Sequence, residues 1–208
     1  MALKCDVLVI AGPTASGKTA VGIGLAQALN GEIISADARQ IYRYMDIGTA
    51  KPTLEERKHA KHHLIDQIDP NTDYSAGQFA KDATAVMQTI LQAGKVPIVV
   101  GGAGLYLKAL FDGFSPMPEI PNEIRAALQS ASLHDLASAY AQLKAVDPEW
   151  AAKIQPSDRQ RIVRGLEVFE ATGKTLTYLQ AQPAVAPEGH WRPRWFGLRW
   201  PRGVLYDR

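Results

Sequence analysis

Gly12-Pro13-Thr14-Ala15-Ser16-Gly17-Lys18-Thr19 has the spacing G-x-x-x-x-G-K-T. In that pattern a glycine-rich turn presents consecutive backbone N–H groups to a polyphosphate. The donors run from Thr14 to Thr19, and the positive end of the helix that follows adds to their pull on an anion. Lys18 would neutralise phosphate charge, and the Thr19 hydroxyl would hold Mg²⁺. The motif establishes that a phosphate is held, but not what the phosphate is attached to or what reacts with it.

A carboxylate is the next requirement. The apolar run at 96–100 ends in Gly101-Gly102 rather than Asp, so the acid that usually follows this strand in a nucleotide hydrolase is missing. Asp37, at the end of "EIISAD", is the acid left near the glycine loop. Three roles stay open for it: Mg²⁺ ligand, general base, or turn cap. "GGAG" at 101–104 offers amides at a helix start, suited either to an anion or to a tight turn with no ligand. In "ERKHAKHH", His59 and His63 have i, i+4 metal-ligand spacing, but with no third ligand a solvated basic helix face is expected. Arg159, Arg161 and Arg164 lie on an amphipathic helix at 157–172 whose Ile162, Leu166 and Phe169 face a core. Spacing does not decide between a phosphate-tracking patch and a charged solvent face. A second "GKT" at 173–175 lacks the upstream glycine, and Gly173 reads as a helix C-cap.

These residues need a frame to position them. A short β-branched run at 6–11 leads into the glycine loop. Val21, Leu25 and Leu29 then mark a helix over 19–29, whose Gly22 and Gly24 suggest close packing on a sheet. "EIISAD" reads as a strand. Residues 76–93 read as a helix with Phe79, Ala83, Val86 and Ile90 on one face, a Ser75–Gln78 capping box and Gly94 as the stop. "VPIVV" reads as another strand and "GGAG" as the start of another helix. Alternating strands and helices predict a P-loop NTPase-like α/β fold: a parallel sheet with helices on both faces and ligands at the carboxyl ends of its strands. Prolines near 115 mark a boundary, helical patterns fill 121–181, and "WFGLRW" at 195–200 alternates like a strand returning to the sheet. The expected layout is a core at 1–114, a helical insertion at 115–190 and a return at 191–208. The last residues read as the first turns of a helix, so the natural protein is expected to continue further.

Composition narrows the function classes. The chain has 208 residues and a net charge of +2, enough for one core with a smaller subdomain and too nearly neutral to be a general polyanion trap. Its one cysteine, Cys5, permits no internal disulfide, which fits a reducing cytoplasm and a small core residue. The first apolar run is too short for a signal peptide or a membrane span. A cytoplasmic monomer is expected. On these grounds two readings compete with each other: a nucleoside-type small-molecule kinase with ATP on the glycine loop, and a non-enzymatic RNA-binding module gated by a nucleotide.

Longer stretches point elsewhere. "GPTASGKT", "SADARQIYRYMDIGTAKP", "HHLID", "YSAGQFAKDA", "GKVPIVVGGAGLYLKAL", "SDRQRIVRGLEVFEATGKTLT" and "GLRWPRGVLYDR" occur in this order across nearly the whole chain. Together they resemble the tRNA dimethylallyltransferases (tRNA isopentenyltransferases). The resemblance implies dimethylallyl diphosphate on the glycine loop, Mg²⁺ at Thr19, and transfer of the prenyl group to the exocyclic amine of the adenosine next to the tRNA anticodon. It implies catalytic roles for Asp37 (as general base), Lys18 and Thr19. Contacts to the tRNA anticodon stem-loop are implied for Asp37, Ala38, Arg39, Gln40, Ala103 and Arg125, and for Gln160, Arg161, Ile162, Val163 and Arg164. The chain departs from the family at Ala38, where Ser is usual, and at Ala103, where Thr is usual. Each change removes a hydroxyl, so a slower enzyme is expected.

Overall fold

The computed structural model describes residues 6–185 and 191–207; Cys5 and the end of the expected insertion lie outside them. Two units are present, one being Phe114–Val185 and the other drawn from the chain on either side of it. The larger unit contains β1 (Val7–Ala11), α1 (Lys18–Leu29), β2 (Gly31–Ala36), α2 (Leu54–His59), β3 (His62–His63), α3 (Ala76–Gln92), β4 (Val96–Gly101) and α4 (Gly104–Phe111). The smaller unit holds α5 (Asn122–His134), α6 (Leu136–Val146), α7 (Pro148–Ala152), α8 (Arg159–Thr172) and α9 (Leu176–Gln180). The chain then returns to the larger unit as β5 (Pro193–Gly197) and α10 (Arg202–Asp207). Among the described residues, no helix is long and apolar enough to cross a membrane.

The sheet is five-stranded in the order β3-β2-β4-β1-β5, and every pairing is parallel. The central strands β1, β2 and β4 are rich in buried Val, Ile and Leu, as the interior of a parallel sheet requires, while β3 is half-buried and β5 is largely exposed. One face carries Leu8, Ile10, Ile33, Ile98 and Val100 packed with Ala26 of α1. The apolar stripe expected on α1 is rotated: Val21 and Leu29 are each 40% exposed, while Gly22 and Ala26 face the sheet. The cause is proximity, because a Cβ on Gly22 would sit 2.8 Å from Val100 Cγ2. Gly24 meets nothing, so sheet packing does not explain it.

On α3, Phe79, Ala83, Met87 and Ile90 are buried, with Met87 in place of the expected Val86. Phe79 stacks on Tyr106 of α4 with ring centroids 4.6 Å apart. The expected capping box is half formed: Ser75 accepts the Gln78 N–H, but the Gln78 side chain turns to Asp82. The complete box is Thr53–Glu56 at α2. The basic segment also differs from expectation. Its helix ends at His59, and His62–His63 enters the sheet beside β2, so His59 and His63 do not share a helix.

Phe114–Val185 is bounded by an antiparallel bridge between its first and last residues, one residue before the expected start at 115; the expected end at 190 lies outside the described residues. Ser115 braces that closure by donating to the carbonyls of Gln180 and Gln182. The unit has its own cores, one around Leu143, Ile162 and Leu166 and another around Ile120, Val168 and Leu176. Gly173 caps α8 at φ 67°, the left-handed geometry that glycine adopts without a Cβ penalty.

Candidate active site

The P-loop joins β1 to α1 as the motif requires. Gly17 is the N-cap of α1 at φ 87°, and Ala15 also lies in the left-handed region at φ 63°. The helix begins at Lys18, so its first N–H groups have no partner within the helix and are open to an anion. Lys18 Nζ donates to the Pro13 carbonyl at 2.6 Å. Burial lowers the lysine pKa, and the Asp37 carboxylate opposes that shift, so the two groups lie within electrostatic reach.

Two glycines bring the β4–α4 turn onto the loop. A Cβ on Gly102 would sit 3.0 Å from the Gly12 carbonyl and 3.9 Å from Lys18 Nζ. A Cβ on Gly101 would fall 2.0 Å from the Ala36 carbonyl. "GGAG" is therefore both a tight turn and a wall of the cradle. Ala103 begins α4 as its N-cap with no side-chain hydrogen bond, the cost of lacking the usual hydroxyl.

Asp37 is half-buried just beyond β2. Its Oδ1 accepts the N–H of Arg39 at 2.8 Å and that of Gln40 at 3.3 Å. Oδ2 meets no donor among the described residues, so one carboxylate caps its own turn and still offers a free oxygen. Tyr106 is 6% exposed. Its phenol is pushed up first by burial and then by Tyr42 and Asp37, so it stays protonated near the acid.

Thr14–Thr19 and Asp37 open on a cavity of about 410 Å³, a size suited to a small ligand. Ile33, Ala50, Pro52 and Val100 are among its lining residues. The loop at 49–52 is held in place by Gln40, whose amide oxygen accepts from Ser35 and whose amide nitrogen donates to the carbonyls of Thr49 and Ala50. Lys51 is a second brace, its Nζ bonding the Tyr42 carbonyl, Asp46 and Asp66. Burial opposes the charge on Lys51, but these partners outweigh burial and raise its pKa. Sequence reasoning missed this wall, although a Thr and a Lys held between a glycine and a proline in "GTAKP" were a usable signal. His62 also lines the cavity. Its Nδ1 donates to the Ala60 carbonyl, which leaves Nε2 buried without a partner, and burial keeps the ring neutral by lowering its pKa.

The expected RNA-contact residues divide. Ala38 and Arg39 are exposed beside Asp37, while Gln40 is 9% exposed and its amide is fully used. Gln40 braces the loop at 49–52. In the smaller unit, Gln160 and Arg161 are exposed on α8. Ile162 and Val163 are 0% and 6% exposed; because these positions face the unit's core, their side chains pack there rather than meeting a ligand. Arg125 and Arg164 flank the buried Glu167 at 3.6 and 3.5 Å, and Arg161 pairs with Asp158. Much of the expected positive patch is thus already paired.

Among the described residues, no three His, Cys, Asp or Glu side chains converge on a metal site. Near the cradle the protein offers the Thr19 hydroxyl and Asp37. That set suits Mg²⁺ carried by phosphate oxygens and water rather than held in a protein cage.

A parallel sheet with a glycine loop at the end of β1 and a carboxylate at the end of β2 defines the P-loop class of phosphate-binding α/β proteins. The family model described as IPP transferase matches residues 40–208. The chain belongs to that family. It is 46% identical over 206 residues to the tRNA dimethylallyltransferase of Chloroherpeton thalassium, covering 99% of this chain and 63% of the relative. Among solved structures, it is 37% identical to the tRNA isopentenylpyrophosphate transferase of Bacillus halodurans, with TM-score 0.61, covering 97% of this chain and 62% of that one. It is 30% identical, with TM-score 0.78, to a eukaryotic dimethylallyltransferase described as acting on tRNA, covering 97% of this chain and 50% of that one. The chain thus spans about three-fifths of the length of the curated relatives it matches.

Proposed function

We propose that this chain carries the catalytic core of a tRNA dimethylallyltransferase. It moves a dimethylallyl group from dimethylallyl diphosphate to the exocyclic amine of the adenosine 3′-adjacent to the anticodon. The observation that carries this reading is that the glycine loop, Lys18 and Asp37 line one cavity, whose lining also includes the apolar side chains of Ile33, Ala50, Pro52 and Val100. The loop and Lys18 suit a diphosphate, and Ile33, Ala50, Pro52 and Val100 suit a five-carbon tail.

In this mechanism the allylic C–O bond breaks and its electron pair leaves with the diphosphate. Backbone N–H groups at the start of α1 and the Lys18 ammonium stabilise the charge that grows there, preorganised before reaction. Mg²⁺, held by the Thr19 hydroxyl and the diphosphate, would supply further charge neutralisation. The adenine leaves the anticodon stack to reach the cavity. Its amine forms the new C–N bond, and Asp37 Oδ2 takes the proton released. Arg39, Arg125, Gln160, Arg161 and Arg164 are the exposed or partly exposed groups assigned to RNA. A tRNA substrate places the activity in the cytoplasm.

The test is incubation with labelled dimethylallyl diphosphate, Mg²⁺ and an anticodon stem-loop. Label in the RNA is expected. ATP-dependent phosphorylation of a nucleoside, or RNA binding with no turnover, would overturn the proposal.

A further inference from the structure

The segment that follows β5 runs along the outer side of the glycine loop. β5 pairs with β1 in parallel, with Gly197 opposite Ala11, and the Leu198 N–H then donates to the Ala11 carbonyl at 2.8 Å. Leu198 presses on the first glycine of the loop: a Cβ on Gly12 would sit 2.9 Å from the Leu198 carbonyl oxygen and 3.2 Å from its Cβ. Two residues on, the Trp200 indole N–H donates to the Ser16 carbonyl at 3.0 Å.

We propose that Trp200 is a positioning residue of the phosphate cradle, orienting the Gly17 N–H through the Ser16–Gly17 peptide. In a trans peptide the C=O and the following N–H point in opposite directions, and the chain contains no cis bond among its described residues. Fixing the Ser16 carbonyl on the indole therefore fixes where the Gly17 N–H points, and that N–H donates to no acceptor among the described residues. Gly17 itself, at φ 87°, offers little steric resistance to a peptide flip. The restraint must come from outside the loop. The Ser16 side chain does not supply it, because its Oγ is buried without a partner. The Ser16 N–H, bonded to the Pro13 carbonyl at 3.3 Å, restrains the preceding peptide instead.

The proposal rests on the diphosphate reading above, and its test separates the two. Inorganic pyrophosphate with Mg²⁺ is titrated calorimetrically into the parent chain, W200F and W200A. W200F keeps an aromatic ring and loses the indole N–H donor together with part of the ring's bulk. It is expected to bind pyrophosphate roughly 3- to 10-fold more weakly, because the Gly17 N–H is no longer preorganised, and to melt slightly lower, by no more than about the worth of one neutral hydrogen bond. The KM for dimethylallyl diphosphate should rise while that for RNA holds. In the ¹⁵N-labelled parent chain, the Trp200 indole proton, assigned by its absence from W200F, should shift as pyrophosphate saturates. The shift itself is read on the parent chain, and W200F serves only for the assignment. Equal binding by W200F and the parent chain, or an indole proton unmoved by pyrophosphate, overturns the proposal alone. A parent chain that binds no pyrophosphate overturns the diphosphate reading and the Trp200 proposal with it.

Discussion

Asp37 combines two duties that can be separated by one atom. Its Oδ1 caps the turn through the Arg39 and Gln40 N–H groups, while Oδ2 is free. Asparagine can keep the accepting oxygen and lose the base. We therefore expect Asp37→Asn to melt with the parent chain and to transfer prenyl groups about 10²- to 10⁴-fold more slowly, the usual contribution of a general base; a single-turnover assay checks this. Ala103 gives a prediction of opposite sign. It starts α4 without a side-chain acceptor, so Ala103→Thr adds an N-cap oxygen and restores a hydroxyl at the cradle's wall. A melting temperature raised by about 1 kcal/mol of stability is expected, with turnover up about tenfold from a regained bond to a charged group. Unchanged turnover would mean that the hydroxyl has no part in the site. Of the roles that sequence left open for Asp37, the structure shows the turn cap at Oδ1, and the free Oδ2 is the atom that a base or a Mg²⁺ ligand would use.

Turns rather than helices set the tolerances of this site. Gly102 lies where two loops meet, and a methyl there would stand 3.0 Å from a backbone carbonyl that has little room to retreat. Gly102→Ala is expected to cost about 1–3 kcal/mol through forced backbone movement and to weaken pyrophosphate binding, measurable by calorimetry. What the sequence made legible at this scale was local. The strand, the glycine loop and the helix of the P-loop follow from composition and spacing, as do α3 and the Gly173 cap. The missed features depend on distant partners. β3 is two residues long and exists because β2 offers it an edge, which the helical pattern of "ERKHAKHH" concealed. The return strand was expected at 195–200, from the alternation of Phe196, Leu198 and Trp200, yet β5 stops at Gly197. Leu198 and Trp200 are large for contact with the loop rather than for a sheet face. α1 turns Gly22 inward because the sheet approaches too closely for Val21, a distance that no local pattern encodes.

Across the whole larger unit, one buried acid ties the sheet to its surroundings. Glu32, on β2, is met by Lys95, His63 and Lys61. Burial opposes its charge, but the bonds from these three groups outweigh it and hold the pKa at about 2, against the ordinary 4.5. A folded pKa below the unfolded one contributes stability that is present above about pH 4.5 and is lost as pH falls toward 2. Denaturant melts from pH 7 to 2 should show that decline. Glu32→Gln should flatten it while lowering stability at pH 7, because the cations around it lose their counter-charge. The sheet's order has a consequence in time as well. β1 and its glycine loop are made first, but the strand that flanks them on one side lies beyond the whole inserted helical unit. A nascent chain halted at residue 190 would hold every letter of the phosphate motif with its outer buttress still unsynthesised. On the proposed reading, phosphate-binding competence would therefore arrive late in translation, after the helical unit has had its chance to fold.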